Sequence, residues 1–174
     1  MSAVIVTEED APCALYRNVG DGTFVREISG PVASLTGIAA AAWLDADGDG
    51  ELDIVWMSRE SPCPPCDGSI HAQVLLNTGR GRDFQRAEHG LDLARWSSPY
   101  EASFVPADYD GDGRVDLLVL MSQNGWGVLR NNGSGFEATS IGTDYSSLAS
   151  FGRSVSTKSG SWGDFDGDGY ACGS

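Results

Sequence analysis

Basic residues are scarce in this chain: 11 Lys and Arg stand against 25 Asp and Glu, for a formal net charge of −14. So acidic a surface repels phosphate, which argues against nucleic acid and anionic lipid as partners. Histidine is scarcer still, with only His71 and His89, and neither sits in a catalytic motif. A Gly-x-Ser-x-Gly nucleophile elbow is also missing. No apolar run approaches the roughly 20 residues of a membrane-spanning helix, so direct membrane insertion is not expected. The opening MSAVIVTEEDAPC is no secretory leader, because its apolar run is short and Glu8, Glu9 and Asp10 follow at once. The expectation is a mature form or a fragment. Convincing helical periodicity is absent as well. The best helix candidate, LTGIAAAAWL, carries a Thr and a Gly and leads into an acidic turn, which favours strand.

Cysteines number four: Cys13, Cys63, Cys66 and Cys172. Cys63 and Cys66 form CPPC within a loop-like stretch. A local disulfide is the favoured reading, with free thiols or a metal or redox pair as alternatives. Zinc would need a second pair or suitably placed histidines.

What the chain does have is a core and a repeat. Apolar residues make up 41% of it, enough for a folded domain. DADGDGELD at 45–53 returns as DYDGDGRVD at 108–116 and DFDGDGYAC at 164–172, at steps of 63 and 56 residues. These loops hold five, four and three acidic residues, twelve of the 25 in the chain. A second motif keeps the same phase: LYRNVGDGTF, LLNTGRGRDF and LRNNGSGF place Asn18, Asn77 and Asn131 at steps of 59 and 54. Two unrelated motifs with nearly one period define a unit of roughly 60 residues. Each unit reads as four short strands: one before the acidic loop, an apolar run after it (LDIVWMS, VDLLVLMS), one ending at the Asn, and one beginning near Phe84 or Phe136. Four antiparallel strands per repeat predict propeller-type blades, all-β, about three in number and incomplete as a ring. Residues 1–30 read as the second half of a blade. Residues 31–90 and 91–145 read as complete blades, and 146–174 as the start of a further one.

The acidic loops carry the chemistry. Carboxylates at positions 1, 3 and 5 converge when the backbone curls, and Gly at position 6 permits the turn. A carbonyl at position 7 and a carboxylate at position 9 complete an all-oxygen cage for a hard cation. Calcium suits it better than magnesium, which demands octahedral order. In loop 1 the expected ligands are Asp45, Asp47, Asp49, the Glu51 carbonyl and Asp53. In loop 2 they are Asp108, Asp110, Asp112, the Arg114 carbonyl and Asp116. In loop 3 they are Asp164, Asp166, Asp168 and the Tyr170 carbonyl, but Cys172 at position 9 is a soft donor, so that site is expected to be weak or empty. An EF-hand would need Glu at position 12, where Trp56 and Val119 stand.

The loop, the in-phase Asn element, the spacing and the Phe-Gly at 151–152 together resemble FG-GAP or VCBS-type repeats, the blades of integrin-alpha-like β-propellers. The resemblance implies that the calcium loop joins the first two strands of a blade and stabilises one face, with ligands bound by loops on the other. It also implies an extracellular, secreted or cell-surface setting and a role in adhesion or recognition, sometimes beside enzymes. The family usually closes seven blades, and the CPPC loop is an insertion by its layout.

The expected function is therefore a calcium-stabilised, non-catalytic recognition module that binds protein or glycan. Residues 58–71 and 121–127 are the candidate contact loops, and Trp96 or Trp126 a candidate sugar platform or ordinary packing. The alternatives are a structural building block that self-associates through open blade edges, and an accessory or catalytic part of a polysaccharide-active enzyme.

Overall fold

Eleven strands arranged in three antiparallel sheets make up the computed structural model, which describes residues 3–6, 13–58, 71–79, 83–87, 91, 102–121, 125–139 and 160–163. The first sheet holds β1 (Ala3–Val6), β2 (Ala14–Asn18) and β3 (Phe24–Glu27), in that spatial order. The second is β4 (Ile38–Leu44), β5 (Asp53–Ser58), β6 (His71–Asn77) and β7 (Phe84–Ala87). The third is β8 (Ala102–Ala107), β9 (Asp116–Met121), β10 (Gly125–Asn131) and β11 (Phe136–Thr139). Both four-stranded sheets are simple meanders of neighbouring hairpins. The first sheet has three strands, one more than a half-unit would supply. A 3-10 turn at Val32–Ser34 leads into the second sheet.

LTGIAAAAWL does form a strand. In β4, Ile38, Ala40, Ala42 and Leu44 are buried in strict alternation, the period of a strand and not of a helix. A register shift between Ile38 and Ala40 marks a bulge where β4 begins to pair with β5.

The unbroken apolar runs of β5 and β9 follow from where those strands lie. All six residues of β5 are buried. Ile54 and Trp56 point toward the first sheet, into a cluster with Cys13, Leu15, Val32, Leu35, Leu75 and Phe84. Val55 and Met57 point the other way, into a cluster with Leu44, Phe104, Leu117, Val119, Leu129 and Phe136. A strand covered on both faces has no need of alternation. β9 repeats the pattern, with Leu118 and Leu120 joining Val128, Trp126, Tyr109 and Trp162 on its far side. Fully burying each Leu, Ile or Val is worth about 1.5–3 kcal/mol, so these clusters are the main source of cohesion between sheets.

β4 lies against β8, so adjacent sheets meet along their first strands in the manner of propeller blades. Residues 160–163 bring the next unit onto the third sheet. Trp162 donates its Nε1–H to the Val105 carbonyl at 2.9 Å and packs on Tyr109 at a centroid distance of 5.7 Å. Among the described residues the sheets do not close into a ring.

Candidate metal loops

Both described acidic loops sit at the turn between the first and second strands of a sheet, β4–β5 and β8–β9. Their folding is local and nearly identical. Asp45 Oδ1 accepts the Gly48 N–H at 2.8 Å and Asp45 Oδ2 the Gly50 N–H at 2.9 Å. Asp108 does the same to Gly111 and Gly113, at 2.8 and 2.9 Å. Asp49 and Asp112 each accept the N–H two residues on, from Glu51 at 2.8 Å and Arg114 at 2.9 Å. These are Asx-type turns, in which the side chain pins its own backbone. Gly50 and Gly113, at position 6, have φ of 85° and 87°, so the turn does need glycine there.

The carboxylates converge as anticipated, but not all of them. In loop 1, Asp45, Asp47 and Asp49 bring ligand oxygens within 4.8 Å of one another. In loop 2 the group is Asp108, Asp110 and Asp116. All the donors are hard carboxylate oxygens, which fits a calcium-type cation. Asp164, Asp166, Asp168 and Tyr170 of loop 3 lie outside the described residues, as do Cys63, Cys66, Cys172 and Trp96.

Asp53 and Asp116, the position-9 acids, do more than close a cage. Asp53 is 1% exposed; its Oδ2 accepts the Ala46 N–H at 2.8 Å and its Oδ1 the Asn77 N–H at 2.7 Å. Asp116 accepts Tyr109 N–H at 2.8 Å and Asn131 N–H at 2.7 Å. One carboxylate therefore ties its loop to the end of the third strand. Burial pushes both carboxyls above the usual range, and the neighbouring loop aspartates add to the rise, while these backbone donors oppose it.

The in-phase asparagines complete the link. Asn18, Asn77 and Asn131 each accept the N–H two residues on, from Gly20 at 2.8 Å, Gly79 at 3.3 Å and Gly133 at 2.9 Å. The Asn77 amide also donates to the Leu52 carbonyl at 3.2 Å. The Asn131 amide donates to the Val115 carbonyl at 3.3 Å and, across the sheet boundary, to the Ala46 carbonyl of loop 1 at 3.2 Å. The acidic loop and the Asn-x-Gly turn are thus one device, and sequence inspection saw only their common phase.

Two guanidiniums add contacts that the sequence pattern did not point to: Arg130, and the side chain of Arg114, expected only as a carbonyl ligand. Arg130 bonds Asp110 through Nε and Asp112 through Nη2, the latter at 3.3 Å. Arg114 pairs with Asp112 and also donates Nε–H to the Asn131 carbonyl at 2.8 Å. Loop 1 makes no ion pair among the described residues. The signal was available, because Glu51 and Arg114 occupy the same loop position with opposite charge.

Elsewhere, a cleft of about 650 Å³ opens between the first and second sheets, with Leu15, Thr78, Asp83 and Phe84 in its wall; its Arg17 and Glu27 pair at 2.8 Å. Trp126 is partly buried against Leu118, Leu120 and Val128, so it serves packing.

No curated protein and no solved structure gave a significant match. A family model did: the FG-GAP-like repeat matches residues 3–56 and 108–171, more than half of the chain. The first match includes all of loop 1, and the second includes all of loop 2 and runs into loop 3. With its repeated four-stranded sheets and their twin Asp loops, the chain belongs to the FG-GAP-like repeat family.

Proposed function

We propose that this chain is a calcium-stabilised, extracellular recognition or adhesion module. Its ions would be structural, held by loop 1 through Asp45, Asp47, Asp49, the Glu51 carbonyl and Asp53, and by loop 2 through Asp108, Asp110, Asp112, the Arg114 carbonyl and Asp116. The observation that carries this is the convergence of three carboxylates within 4.8 Å in each of two hairpin loops built alike. Like charges held so closely are stabilised by a cation that makes them ligands. Modules outside cells bind calcium at roughly 10⁻⁴–10⁻³ M, matched to the ion's level there and not to a resting cytosol. Family membership supports the same setting. Loop 3 would bind weakly, since Cys172 stands at its closing position. Recognition of a protein or glycan would fall to the 58–71 and 121–127 connections, which leave β5 and β9 at the ends away from the acidic loops. The reading is non-catalytic.

Thermal unfolding in about 2 mM calcium against excess chelator tests it. With a Kd near 10⁻⁴ M, each site adds roughly 1.8 kcal/mol. A cooperative melt unmoved by calcium would overturn the proposal.

One observation favours a second reading, self-association. Phe84 and Phe136 start the last strands of their sheets and are 7% and 4% exposed, because each packs on the sheet before it. Phe24, the equivalent residue of the first sheet, is 49% exposed, and Ile28 is 83% exposed. A second copy could cover this face. Sedimentation of the protein as a monomer at high concentration would remove that reading.

A further inference from the structure

We propose that Arg130 is a tethered counter-ion of loop 2, which makes loops 1 and 2 unequal calcium sites with loop 2 the weaker. This rests on the calcium reading above. Aligning the units on Asn77 and Asn131 places Arg130 where the second sheet has Leu76, and aligning the acidic loops places Arg114 where loop 1 has Glu51. The position-1 and position-9 hydrogen bonds of the two loops are duplicated. The difference in charge stands out against that shared frame. Among the described residues, loop 1 gathers five acidic residues and no guanidinium, while loop 2 gathers four acidic residues and two guanidiniums in contact.

The arginines reach the very groups a metal would use. Arg130 stands between Asp110 and Asp112, the position-3 and position-5 carboxylates. Arg114 takes the same oxygen of Asp112. A divalent ion entering loop 2 has to displace these pairs or bind beside two positive charges, whereas loop 1 presents no such competitor among the described residues. Ligand charge count is one of the means by which oxygen sites set their calcium affinity. The same contacts relieve carboxylate repulsion when calcium is absent, so loop 2 keeps its form without the ion. Arg130 is anchored on β10 by ladder pairing with Glu137, so its guanidinium is presented by a strand and not by a flexible loop. Its side chain is 42% exposed, which keeps the effect moderate.

The experiment is calorimetric titration of chelator-stripped protein with calcium chloride. The proteins are wild type, Asp47→Asn, Asp110→Asn and Arg130→Leu, the last copying the residue of the neighbouring unit. Wild type should show two classes of site about tenfold apart. Asp47→Asn should remove the tighter class and Asp110→Asn the weaker. Arg130→Leu should tighten the weaker class about three- to fivefold, the scale of an exposed ion pair. It should also lower the melting temperature in chelator while leaving the tighter class alone. Arg130→Gln, which keeps a polar side chain, should do the same and guards against a packing defect in the Leu variant. Two equal sites in wild type, or a weaker class unmoved by both Arg130 variants, would overturn the inference and leave the calcium reading standing. No binding by any of the five proteins would overturn both.

Discussion

The Asp53 carboxylate reaches across the second sheet to the backbone of Asn77, 2.7 Å away, while its other oxygen holds Ala46 in the loop at 2.8 Å. Asp116 and Asn131 repeat the arrangement at the same 2.7 Å. A residue that counts as a metal ligand in the sequence pattern is thus also a structural clamp. The two roles can be separated by experiment.

Replacing Asp53 with Ala leaves two buried N–H groups without an acceptor. The expected loss is about 2–4 kcal/mol in urea unfolding, even in excess chelator. Among the described residues, Asp47 accepts only the Asp49 N–H, at 3.1 Å in an exposed turn. Asp47→Ala should therefore cost under about 1 kcal/mol in chelator and show its effect only when calcium is present. Equal losses in chelator would refute the clamp.

The pH dependence should change sign with calcium. Burial holds the Asp53 and Asp116 carboxyls above their ordinary value of 3.8. The native state then binds protons more readily than the unfolded chain, so these groups lower stability as pH rises through their native values. In chelator, lowering the pH from neutral toward those raised native values should raise the melting temperature. In calcium the same change should lower it, because protons compete with the ion for the carboxylates. Parallel pH profiles in the two conditions would contradict this.

Gly50 and Gly113 offer a backbone test. A Cβ on either would meet nothing within 4 Å, so Ala is penalised only by the positive φ. Each Gly→Ala change should cost about 1–2 kcal/mol. An Asn in the same place, which tolerates that region better, should recover part of the loss. Chemical denaturation of the four variants would check this.

Asn131→Ala removes the amide that caps both Val115 and, in the neighbouring sheet, Ala46. A loss of about 1–3 kcal/mol is expected. Its signature is distant: amide exchange at Gly48 and Gly50 in loop 1 should speed up, although those residues are some 80 positions away in the chain. Exchange changes confined to the third sheet would show the cross-sheet bond to be unimportant.

The repeat period made the four-stranded units legible, and the placement of β4 before an acidic turn was enough to favour strand over helix. The alternating burial of Ile38, Ala40, Ala42 and Leu44 bears that out. Loop chemistry was legible too, because Asx turns and position-6 glycines are local. The Asp53–Asn77 contact spans 24 residues and depends on strand pairing, so its phase could be seen in the sequence and its purpose could not. Arg130 stayed hidden for the same reason: a residue on the third strand acts on a loop two strands earlier. Sequence inspection also gave the first unit too little, since the short AVIV segment pairs with β2 as a third strand.

Loop 1 draws part of its frame from the Asn131 amide, a residue belonging to the next sheet. One family match is offset in the same way: 3–56 runs from the first sheet into the second. A gene fragment cut neatly between sheets would separate loop 1 from its cap and leave the Ala46 carbonyl without that donor. On the ribosome, loop 1 cannot make this last bond until residue 131 has emerged, so completion of its frame waits on translation of the next sheet. Grafting or shuffling such repeats should succeed when the junctions fall inside strands, past the asparagine, and fail when they follow the visible edges of the sheets.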